Sequence, residues 1–128
     1  MAYTLNWADD GKTLLCLTIK GSLTWEQLYE AMDEMKVWAE SVDHSVTTIT
    51  DVRNVEQMPL VNVLKLKPAF SNKARNTQMA ILVGLPTFQR AMVNAFMSLY
   101  KQMTGNLPVA FVETMEKAEA LAAREIAK

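Results

Sequence analysis

Residues 13–32, TLLCLTIKGSLTWEQLYEAM, change their hydrophobic period once, and that change decides the fold class. Thr13 to Lys20 is rich in β-formers. Leu15, Leu17 and Ile19 point one way and Leu14, Cys16 and Thr18 the other, so both faces are apolar enough to be covered and the strand belongs inside a sheet. Gly21-Ser22-Leu23 breaks that run. Thr24-Trp25-Glu26-Gln27 then has the spacing at which a threonine oxygen and a glutamine side chain satisfy the orphan donors of a helix start. Behind it Leu28, Met32, Met35 and Ala39 recur at helical spacing, with Glu26, Glu30, Asp33, Glu34 and Lys36 largely on the other side.

The elements on either side extend the pattern. Upstream, Tyr3 to Trp7 alternates apolar and polar residues and Asp9-Asp10-Gly11-Lys12 supplies turn chemistry, which predicts a β-hairpin. Downstream, Val46 to Thr50 is dense in β-branched residues and predicts a third strand closed by Asp51. Pro59 suits a first helical turn, with Leu60, Val61, Val63, Leu64 and Leu66 behind it and an interruption at Pro68. A polar loop over 71–76 leads to Met79–Val83, a second central strand ended by Gly84.

Pro86 opens what reads as the longest helix. Phe88, Met92, Ala95, Phe96, Leu99 and Met103 draw one apolar stripe along it, expected to face the sheet, and Gly105 stops it. Val93, Met97 and Tyr100 form a second ridge, wider than one sheet face needs and expected to lie outward. Pro108–Val112 is a short last strand, and Thr114 caps an Ala- and Glu-rich helix through Ile126. The order β-β-α-β-α-β-α-β-α predicts a single α/β domain with a five-stranded mixed, mostly parallel sheet, one antiparallel edge strand and about four helices.

Composition narrows the function classes. Of 128 residues 50% are hydrophobic and 21% charged, as in globular chains rather than disordered ones. Lys+Arg 13 against Asp+Glu 14 leaves no positive field to gather nucleic acid. The one cysteine, Cys16, excludes an intramolecular disulfide and points to a reduced compartment, so a cytoplasmic protein is expected. No stretch approaches the roughly 20 apolar residues that span a bilayer, so an integral membrane protein is not expected.

Glycine-rich phosphate loops of the GxGxxG or GxxxxGK[ST] type are absent, and one cysteine with one histidine cannot supply a zinc set. No cofactor or metal is therefore expected. His44 lies in a polar turn, where a solvated side chain is the ordinary outcome. Asp51 and Arg53 end a central strand, the place where open α/β sheets put ligands, and such a pair could orient an anion or a proton donor. The plainer alternative is that Asp51 accepts backbone N–H bonds and Arg53 partners it. Lys65, Lys67, Lys73 and Arg75 gather positive charge that reads as a solvated face. The nine methionines, Met32, Met35, Met58, Met92, Met97 and Met103 among them, suit a core, a lipid-like ligand or a partner helix.

The hairpin, GSLTWEQLYEAM (21–32), TITDVRNVEQMP (48–59), MAILVG (79–84) and FVETMEKAEALA (111–122) together resemble the SpoIIAA-like branch of the STAS fold over essentially the whole chain. The resemblance implies that Asp51 stands at the first position of the family's Asp-x-Ser-Gly turn, with Arg53-Asn54 in place of Ser-Gly. Leu60-Val61 fall about where the antagonists of anti-sigma factors carry a phosphorylatable serine. Without that hydroxyl a phosphate switch has no acceptor. SpoIIAA-like chains also resemble Sec14-type lipid-binding modules, which implies an apolar pocket between helices and sheet.

The resulting expectation is a non-catalytic interaction module, homodimeric, that holds a small apolar or lipid-like ligand or contacts a protein partner. Its candidate ligand residues are Asp51, Arg53, Met58, Phe88, Met92 and Phe96, and its candidate interface residues Val93, Met97 and Tyr100. Two alternatives stand beside it: a small enzyme using Asp51 and Arg53, and a partner-switch regulator that works without phosphorylation.

Overall fold

The computed structural model describes residues 2–57, 65, 67–68, 73–99 and 107–128. In chain order these form β1 (Ala2–Trp7), β2 (Leu14–Ser22), α1 (Trp25–Glu40), β3 (Val46–Gln57), β4 (Thr77–Val83), α2 (Thr87–Leu99), β5 (Val109–Val112) and α3 (Met115–Ile126). Five strands make one sheet in the order β1-β2-β3-β4-β5, with β1 antiparallel to β2 and the other neighbours parallel. The mixed α/β architecture is the expected one, with three helices among the described residues. The helix expected behind Pro59 lies outside them apart from helical backbone at 65, 67 and 68.

Strands that succeed one another in a single direction across a sheet bring their connecting helices to the same face. Trp25 at the start of α1 accordingly packs with Val93 and Phe96 of α2 and Phe111 of β5. Beneath α1, Leu15, Leu17, Ile19, Val46 and Val52 meet Ala31, Met35 and Ala39. The alternate side chains Leu14, Ile49, Ile81 and Val83 meet Ala118 and Ala122 of α3 on the opposite face. Thus the two-faced reading of β2 holds, and β2 and β3 lie inside the sheet.

Local signals start the helices as expected. The Thr24 oxygen accepts from the Gln27 N–H at 3.2 Å while Gln27 Oε1 accepts from the Thr24 N–H at 3.1 Å, a complete capping box. Thr114 accepts from the Lys117 N–H at 3.2 Å and starts α3.

Two strand boundaries differ from the sequence reading. Gly21 does not end β2, because its positive φ of 80° lets the strand continue to Ser22. Asp51 does not close β3, which runs on to Gln57 beside the end of β2, with Asn54 opposite Lys20 and Val55 opposite Gly21. Between Asp51 and Asn54 the strand spends three residues where β2 spends two, from Thr18 to Lys20. That bulge absorbs the polar run that reads as a turn.

Helix α2 is rotated from its predicted setting. Val93 and Phe96 are buried at 7% and 0% exposure, with Met97 packed against them. Phe88 and Leu99 are 64% and 73% exposed, and Ala95 is exposed as well. Of the ridge expected outward, Val93 and Met97 are the residues the chain covers itself. Of the described members of the stripe expected inward, only Phe96 is buried and Met92 is half-buried; Met103 lies outside the described residues. Among the described residues α1, with 16, is longer than α2, with 13.

Candidate functional site

Within the bulge of β3, the Arg53 N–H is released from the ladder and donates to Asp51 Oδ1 at 3.0 Å. The Arg53 side chain returns to the same carboxylate. Nε donates to Oδ1 at 2.9 Å and one terminal nitrogen to Oδ2 at 2.9 Å, a bidentate pair. Asp51 lies under the sheet surface, its side chain 7% exposed, while the Arg53 side chain remains 42% exposed. Burial works to raise the Asp51 carboxyl. The hydrogen bonds from the Arg53 side chain and backbone, with the charges of Arg53 and Lys20, outweigh it and hold the group below the ordinary carboxylate range. Asp51 in turn holds the Arg53 guanidinium above its ordinary value.

Gly84 completes this corner. It ends β4 at φ 78°, donates its N–H to the Val112 carbonyl at 2.9 Å, and lies so close to Arg53 that a Cβ would meet Arg53 Cγ at 2.4 Å. Only glycine leaves room for the arginine to lie across the strand end. The sequence marks Gly84 as a strand stop, and no local pattern in it reports the approach of Arg53.

Chemically, the corner is a strut more than a reaction centre. A carboxylate that stays ionised and already accepts three bonds from one residue is a poor proton acceptor at neutral pH. What faces water is the outer edge of a guanidinium. The plainer reading of the pair therefore describes its bonding, although the pair sits within a strand and not in a turn.

The other candidates lie elsewhere. Asp51 follows Ile49 on the face covered by α3, whereas Phe96 lies with Trp25 and Phe111 on the opposite face. Phe88 is exposed on α2, and Met92, one turn on, is half-buried. Met58 and Tyr100 fall outside the described residues. Among the described residues the proposed ligand residues hence form no common lining: Asp51 and Arg53 make an ion-paired corner, Phe96 is buried with Trp25 and Phe111, and Phe88 and Met92 lie along another line of α2.

That helix face is the second candidate site. Phe88, Met92, Ala95 and Leu99 follow a four-three-four spacing, which places them in one line along α2. The only charged residue of α2 is Arg90, so the line has almost no ionic flank. On the inner side of the same helix Gln89 Oε1 is buried without a hydrogen-bond partner among the described residues.

His44 is exposed, with Nε2 2.9 Å from the Lys12 carbonyl, and it ties two turns together. Cys16 is half-buried, and burial, with Glu119, Asp9 and Asp51 nearby, pushes its thiol up to about 11, away from reactive thiolate behaviour. Among the described residues no group of His, Cys, Asp or Glu is arranged to hold a metal, and no helix is long and apolar enough to cross a membrane. No protein-family model matches the chain, and no curated protein does.

Proposed function

We propose that this protein is a non-catalytic interaction module of the SpoIIAA-like, STAS type, with a fourth helix after β3, that self-associates and offers the outer face of α2 to an apolar partner surface. The observation that carries the reading is the line of Phe88, Met92, Ala95 and Leu99, in which Phe88 and Leu99 are 64% and 73% exposed, Ala95 is exposed and Met92 is half-buried. Exposing such side chains in a continuous row costs solubility unless something covers them. Resemblance to the family supports the fold assignment, and the lack of a serine at 60–61 sets the chain apart from a phosphorylation-driven switch.

Mass in solution, from dilute to concentrated protein, tests self-association. Binding of an apolar reporter dye tests the helix face, and the Phe88→Ser, Leu99→Ser double variant should keep its circular dichroism while losing the dye. A wild-type chain that stays single at every concentration and binds no dye sinks the reading.

A small apolar, lipid-like ligand is the second reading. Gln89 Oε1, buried on the inner side of α2 near Val93 and Phe96, favours it, since a ligand N–H or O–H would satisfy that acceptor. Native mass spectrometry of purified protein would detect such a molecule. The enzymatic reading of Asp51 and Arg53 is less supported, because the carboxylate oxygens are occupied by the arginine.

A further inference from the structure

β1 ends the sheet, and its outer edge has the features of a strand made to be paired. The register to β2 is one-to-one from Ala2↔Lys20 to Trp7↔Leu15 with no shift. Beyond it the Ala8 N–H donates to the Leu14 carbonyl at 2.8 Å. In an antiparallel ladder bonded pairs alternate with non-bonded ones, so Asn6, Thr4 and Ala2 bond to β2. The N–H and C=O groups of Tyr3, Leu5 and Trp7 then point away from the sheet. Among the described residues no backbone group meets them, and the Asn6 side chain donates to the outward Trp7 carbonyl at 3.4 Å.

Natural edge strands are guarded by charge, proline, a bulge or shortness. β1, AYTLNW, has six residues and none of these guards. The opposite edge, β5, has only four residues between Pro108 and Glu113.

The sequence of β1 is also a chemical palindrome about Leu5: aromatic, polar, leucine, polar, aromatic. A two-fold axis at Leu5 would set Leu5 against the partner's Leu5 and Tyr3 against the partner's Trp7, each pair exchanging both backbone bonds. Thr4 would face the partner's Asn6. Charge complementarity is complete in that register: every outward N–H meets a carbonyl, and no formal charge lies on either paired stretch. On the helix-covered face Tyr3, Leu5 and Trp7 are only partly buried, so the same pairing would cover more of their apolar surface.

We infer that the occupant of the β1 edge is a second copy of this chain, paired antiparallel about Leu5 into one continuous ten-stranded sheet. This rests on the self-association proposed above and assigns it to β1, leaving the outer face of α2 for a different partner.

Amide exchange read residue by residue, alongside mass, tests it. In dilute protein the Thr4 and Asn6 amides should be protected and those of Tyr3, Leu5 and Trp7 should exchange freely; as the mass doubles the latter three should slow with the dimer fraction. Thr4→Lys with Asn6→Lys sets like charges opposite each other across the axis, at positions exposed in one copy, and should raise the dimer dissociation constant about tenfold. Thr4→Lys with Asn6→Glu alters the same sites but sets opposite charges together, and should leave the dimer intact. A dimer whose Tyr3, Leu5 and Trp7 amides stay fast, or equal effects of the two charge patterns, overturns the edge assignment and leaves self-association to another surface. A wild-type chain that never exceeds one copy overturns both.

Discussion

Truncating Phe96 to alanine, set against the same truncation of Phe88 and Leu99, separates the observed setting of α2 from the one its sequence favours. The Phe96 ring is fully buried against Val93, Met97, Trp25, Leu85 and Phe111, so Phe96→Ala removes a whole aromatic side chain from a packed site. Such truncations cost about 3–5 kcal/mol, the lost transfer energy plus that of the residual cavity. Leu99 and Phe88 share its nominal stripe but stand in water, and their truncation should cost no more than about 0.5 kcal/mol in dilute protein. In urea, where a domain of this size loses about 1–3 kcal/mol per molar, Phe96→Ala should lower the unfolding midpoint by more than about 1 M. Leu99→Ala and Phe88→Ala should leave it nearly unmoved. Similar midpoint shifts for all three would mean that Phe88 and Leu99 lie inward with Phe96, as the sequence favours, and the apolar docking face would be lost.

Two further predictions concern the ion-paired corner. Because the Asp51 carboxyl is held below its unfolded value, its stabilising contribution is complete above the ordinary carboxylate pKa and disappears as pH falls through the folded one; Asp51→Asn should flatten that acid limb of the urea midpoint against pH, and an unchanged slope would refute the pairing. Gly84→Ala forces a side chain into positive φ, at about 1–2 kcal/mol, and into Arg53 Cγ at 2.4 Å, so the fall in midpoint it causes should be larger in the wild-type chain than in an Arg53→Ala background, where Cγ is gone and only the looser approaches to Arg53 Cα and Cβ at 3.1 and 3.2 Å remain.

Much of the frame was legible in local pattern. The Thr24 box, the Thr114 cap, the two-faced β2 and the apolar core of β4 each depend on residues near one another in sequence, and each stands where its spacing predicted. The end of β3 was not legible. Val52 to Gln57 reads as a turn because Arg53, Asn54, Glu56 and Gln57 are polar, and it is a strand because β2 lies alongside to pair with it. Likewise the candidate ligand set drew together residues that the sheet holds apart, since which face a strand residue takes relative to a distant helix depends on the order of the strands.

Alternation and caps, on their own, determined that this chain is an α/β protein with a hairpin leading into parallel strands, because those features are written within a few residues of one another. The rotation of α2 and the placing of Arg53 over Gly84 were decided by tertiary structure. A helix apolar around most of its girth offers two rival stripes of nearly equal merit, and only the shape of the surface formed by Trp25, Leu85 and Phe111 selects between them.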